Sequence, residues 1–139
     1  MASTLPVMHH VVFAVAPERL DAAVSFLEEF GFRFQTHELA DVGLLVKLDW
    51  NRGVELVTPR GSEDANPGSV AEFLASHGDG VFSVVLRVEN AHISAELARR
   101  YGVSAQFRQD RGGDGLELLE VQLATIFGMP LTLLSTDLP

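Results

Sequence analysis

Cysteine is absent from this chain of 139 residues, which excludes disulfide scaffolds, thiolate metal sites and cysteine nucleophiles. Basic residues are scarce: 10 Lys and Arg stand against 19 Asp and Glu, a formal net charge of −9. A surface of that sign repels phosphate backbones, so nucleic acid is not an expected partner. No apolar run approaches the roughly 18–20 residues of a membrane span, so no membrane partner is expected. The opening MASTLPVMHH has no basic stretch followed by an apolar core; no signal peptide is expected, and the expected location is the cytoplasm. GxSxG, P-loop, HExxH and GxGxxG patterns are also missing. What remains is apolar and lightly charged, 47% hydrophobic and 21% charged, enough to build a packed core in one domain or two tightly fused modules.

Val7–Val15 (VMHHVVFAV) reads as a buried strand, with His10, Val12 and Ala14 on one face and His9, Val11, Phe13 and Val15 on the other. Pro17 and Glu18 open a helix whose apolar stripe is Leu20, Val24, Leu27 and Phe30, and Gly31 closes it. Three strand-like runs follow, Phe32–Leu39, Leu44–Trp50 and Val54–Thr58, the last two joined by a tight turn at Asn51-Arg52-Gly53. Pro59–Gly68 is the expected linker, and Ser69 with Glu72 has capping-box spacing before a short helix.

The order then repeats. Val81–Val88 is a strand, Asn90 caps a helix with the stripe Ile93, Leu97 and Tyr101, and Gly102 stops it. Val103–Gln109, Leu116–Leu123 and Leu131–Ser135 are further strands, with GGDG at 112–115 as a hairpin signal. His10–Val15 lies over Ser83–Val88 at an offset of 73 residues, and Gly31 meets Gly102 after a shortening of the second helix. The expected fold is therefore α+β: two tandem β-α-β-β-β modules, 7–58 and 81–136, joined through 59–80 in one domain.

Two such modules in one short chain resemble the vicinal oxygen chelate superfamily, which includes glyoxalases, bleomycin-resistance proteins and extradiol-type dioxygenases. The stretch VAEFLASHGDGVFSVVLRV at 70–88 resembles methylmalonyl-CoA epimerases and the N-terminal domain of 4-hydroxyphenylpyruvate dioxygenases. The resemblance implies that each module curls into a half-barrel and that the pair encloses a cavity. It also implies four metal-binding positions, in the first and last strand of each module. Here those positions hold His10, Glu55, Ser83 and Thr132. His10 and Glu55 suit a borderline or hard divalent ion; Ser83 and Thr132 are neutral hydroxyls and poor ligands. At most one weakly held divalent metal ion is therefore expected, with no other cofactor.

Glu55 interrupts an apolar strand, and beside His10 it would be an ion pair, a ligand or a general base. Glu120 is the reserve carboxylate for proton transfer. Trp50 and Phe82, with Ser83 and Thr132, are the expected lining for a small molecule, although core packing is the commoner fate of such aromatics. Two functions fit: a binder of a small hydrophobic or carbonyl-bearing metabolite with a degenerate metal site, or a metal-dependent isomerase, lyase or dioxygenase working through His10 and Glu55. The resemblance further implies a homodimer.

Overall fold

A computed structural model describes residues 4–60 and 68–139. Most of the expected linker lies outside the described residues; its first residue, Pro59, ends a strand. The chain divides into two compact units, His10–Phe82 and Ser83–Pro139, the latter joined by the residues before His10.

In the first, β1 (Val7–Ala14) leads through a 3-10 turn at Pro17–Arg19 into α1 (Leu20–Glu29). Then come β2 (Gln35–Leu39), β3 (Leu44–Asp49), β4 (Val54–Pro59) and α2 (Val70–His77). The second runs β5 (Gly80–Arg87), α3 (Ala91–Arg99), β6 (Ala105–Asp110), β7 (Leu118–Leu123) and β8 (Leu131–Thr136). Both have the β-α-β-β-β order read from the sequence, and the class is α+β. The strand order is β2-β3-β4-β1 in one unit and β6-β7-β8-β5 in the other. In each, the first strand pairs parallel with the last, and the others pair antiparallel.

The caps form as the sequence implies. Ser69 accepts the Glu72 N–H at 3.1 Å, and Asn90 accepts the Ile93 N–H at 3.0 Å. At GGDG, Gly113 bridges Leu116 while Asp114 (φ 52°) and Gly115 (φ 83°) both take positive φ, as a two-residue primed turn requires. A second turn of this kind was not legible. Phe127 (φ 53°) and Gly128 (φ 75°) form it between Ile126 and Met129, with Phe127 in a position usually held by Asn, Asp or Gly.

Two helix stripes need correction. Leu20 is buried, and Val24 and Leu27 pack on the Val15–Leu56 cluster, but Phe30 is 68% exposed. It stacks edge-to-face on Phe26 at 5.0 Å instead. The whole second stripe is outside: Ile93 and Leu97 on α3, and Tyr101 in the turn after it, are 68%, 50% and 72% exposed. The helix packs through Ala91, Ala95 and Ala98 against Val121, Leu123 and Leu133. Small residues let the helix axis approach the sheet closely, so the large side chains rotate away from it. Strand bounds also move: β2 begins at Gln35 rather than Phe32, because the Arg33 N–H turns to the Asp49 carboxylate at 2.9 Å.

Candidate functional site

In the unit His10–Phe82, strand alternation puts His10, Val12 and Ala14 on one face of β1, all buried. The opposite face carries Phe13 and Val15 into the cluster under α1. The parallel register sets Val12 beside Glu55, so Glu55 shares the His10 face. There His10 Nε2 lies 3.2 Å from Glu55 Oε1, with side-chain exposures of 2% and 18%. The Trp50 ring centroid is 6.2 Å from that of His10, the planes tilted by 41°. An imidazole, a carboxylate and an indole therefore gather on the side of the sheet away from α1.

In the unit beginning at Ser83, the equivalent strands bring two hydroxyls together. Ser83 Oγ and Thr132 Oγ1 are 2.7 Å apart, and both residues are buried. Ser83 Oγ is also within 3.3 Å of the Pro130 carbonyl, and its one proton goes either there or to Thr132. Glu120 pairs opposite Leu134 on β8 and so shares the face of Thr132. Phe82 does not join them: it points to the other side of β5 from Ser83 and meets Phe73 of α2 edge-to-face at 5.5 Å.

Backbone hydrogen bonds show that the two pairs are the same place in the repeat. Val11 and Val15 donate to the carbonyls of Gly53 and Val57; Val84 and Val88 donate to those of Pro130 and Leu134. The offset that carries Val11 to Val84 carries His10 to Ser83. The one that carries Gly53 to Pro130 carries Glu55 to Thr132. Each unit thus holds one contacting polar pair at the same two backbone positions, an imidazole and a carboxylate beside an indole in the first, two hydroxyls in the second. Sequence reading passed over Arg87, the one charged residue in VFSVVLRV, which the same offset sets in the place of Ala14.

The donors do not match a resident metal ion. Tetrahedral zinc sites take three or four protein ligands, whereas here one imidazole and one carboxylate stand in one unit and two mutually bonded hydroxyls in the other. Among the described residues, no group of three or more His, Cys, Asp or Glu side chains is placed to hold a metal. No chemical step is assigned to a metal.

The fold these elements build is that of methylmalonyl-CoA epimerases. Streptomyces coelicolor methylmalonyl-CoA epimerase, in complex with 2-nitronate-propionyl-CoA, has a TM-score of 0.74 at 22% identity, over 97% of this chain and 100% of that one. Methylmalonyl-CoA epimerase from Mycobacterium tuberculosis has a TM-score of 0.68 at 21% identity, over 97% and 92%. A hypothetical protein from Bacillus halodurans has a TM-score of 0.74 at 16% identity, over 96% of each. No family model and no curated protein matches the chain.

Proposed function

We propose that the protein binds a small hydrophobic or carbonyl-bearing metabolite, the polar pairs His10–Glu55 and Ser83–Thr132 being the candidate contacts. The observation that carries this reading is the contacting polar pair at repeat-equivalent positions in both units. With Ser83 donating to Thr132, the Thr132 O–H is left to donate to a carbonyl oxygen; the imidazole donates or accepts according to its tautomer, and Trp50 offers an aromatic wall. The metal position is degenerate, so a divalent ion is held weakly, with water or ligand supplying the missing donors. Substituting Ser83→His and Thr132→Glu together puts imidazole and carboxylate at all four positions. Calorimetry with zinc or manganese should then show affinity at least a hundredfold above the parent. The unsubstituted protein should retain well under one equivalent of divalent metal. No gain in the double variant would overturn the reading of these positions as a degenerate metal site.

An isomerase reading draws on the epimerases among the fold neighbours. In it Glu55 or Glu120 removes the proton next to a thioester carbonyl. Incorporation of solvent deuterium into methylmalonyl-CoA, abolished in Glu55→Gln or in Glu120→Gln, would establish it; no incorporation would leave the binding function alone.

The partner we propose besides the ligand is a second copy of the chain, docked on α3. Its exposed Ile93 and Leu97, continued by Tyr101 in the turn that follows, have Glu96 on one side and Arg99 and Arg100 at the helix end. A two-fold axis at Leu97 sets Glu96 of one helix beside Arg99 and Arg100 of its mate and runs the helix dipoles antiparallel. At a net charge of −9, most of the surface repels a second copy, and this basic end is one of the few places that does not.

A further inference from the structure

The repeat supplies its own control. Beside His10 and Glu55, the first unit presents Val12, Ala14, Val46 and Val57, all buried and apolar. At the equivalent places of the second stand Val85, Arg87, Glu120 and Leu134. Ala14 is 0% exposed, so the frame closes well with a methyl group there and does not need an arginine. Arg87 is half-buried, and its Nη2 donates to the Thr136 carbonyl at 2.8 Å. Its Nε is buried with no hydrogen-bond partner, and it joins no ion pair among the described residues. A buried guanidinium N–H without an acceptor has given up its water for nothing, a burden that a bound acceptor removes. Arg87 shares its face with Ser83 and Val85, and Val85 is paired with Thr132. One two-residue strand step, about 7 Å, separates the Arg87 row from the Thr132 row. Glu120 faces the same row from across Leu134 and is itself engaged in an interaction.

We infer that Arg87 binds an acidic group of the ligand, so that the metabolite is an oxo acid whose carboxylate lies several bonds from its carbonyl. This rests on the binding reading given above, with the carbonyl at the hydroxyl pair. A guanidinium fork matches a carboxylate in geometry as well as charge. A lysine at this place would keep the charge and lose the fork.

The test compares 7-oxooctanoate, its methyl ester and the shorter 4-oxopentanoate, titrated by NMR into the native protein, Arg87→Met and Arg87→Lys. Native protein should bind the long acid at least tenfold more tightly than the ester or the short acid. Arg87→Met should remove that preference while leaving ester affinity unchanged, and Arg87→Lys should restore part of it. The Arg87 Nε–H resonance, identified by its loss in Arg87→Met, should shift with the acid and not with the ester. A role confined to tethering the Thr136 carbonyl would change the melting temperature and leave acid-over-ester preference intact. Ester bound as tightly as acid, or equal preference in Arg87→Met, overturns the assignment of Arg87 while the carbonyl-binding reading stands. Binding of none of the three overturns both.

Discussion

Asp49 is among the most buried charged residues, 4% exposed, and it organises the turn from β3 to β4. Burial alone pushes its pKa up, the largest single effect. The Arg33 and Arg52 N–H groups and the Arg52 guanidinium together outweigh it and hold the carboxyl below its ordinary range. Asp79 is also held low, first by the Arg19 guanidinium and then by the Ala16 N–H, which ties the start of α1 to the end of α2. A carboxyl lowered in the folded state contributes stability above its unfolded pKa and loses it as pH falls through the folded one. Thermal melts should therefore be flat near neutrality and fall on acidification from about pH 4 downward. Asp49→Asn should flatten part of that acid limb and cost about 1.5–3 kcal/mol at pH 7, the range for hydrogen bonds to a charged group. An unchanged acid limb in this variant would show that Asp49 does not govern it. Little of this was legible in the sequence, where Asp49 falls inside the strand run Leu44–Trp50 and nothing local marks its partners. The His10–Glu55 contact was legible only in part: alternation gave His10 its face, but which strand lies beside β1 is a matter of topology, not of local pattern.

Helices and turns were legible where local chemistry decides, and misread where packing decides. Ser69, Asn90 and the GGDG turn each satisfy nearby backbone groups, so their signals act within a few residues. The α3 stripe failed because helical periodicity marks two faces, one large and apolar, the other small. Ala91, Ala95 and Ala98 won the sheet since they allow closer approach and leave no room for longer side chains. Two substitutions on this helix separate the alternatives. Ala95→Leu forces three heavy atoms into a 2%-exposed position and should cost about 1–3 kcal/mol. Ile93→Ser, on the exposed side, should stay within about 0.5 kcal/mol for the isolated chain. Chemical denaturation of both reads the result. The reverse ranking would mean that α3 faces the sheet with its large residues.

The whole molecule repeats one backbone plan twice while giving the copies different side chains. The plan was readable because strand, cap and stop recur in the same order, and a shared offset carries β1 onto β5. The division of labour was not, since it lies in which side chains replace one another: His10 by Ser83, Glu55 by Thr132, Ala14 by Arg87. Assembly belongs to the same scale. No pattern in the sequence marks a partner surface, but the exposed apolar side of α3 is one that an acidic monomer would have to leave in water. Light scattering at micromolar concentration should give about twice 15.1 kDa. Leu97→Glu puts a carboxylate at the two-fold axis, where it meets its own copy, and should shift the protein to a 15.1 kDa species without loss of helix content by circular dichroism. Arg100→Glu should weaken the dimer more in low salt than in high, because the contact with Glu96 of the mate becomes repulsive and is screened. A dimer that persists in Leu97→Glu would place the interface elsewhere, and a native mass of 15.1 kDa would leave α3 without a second copy.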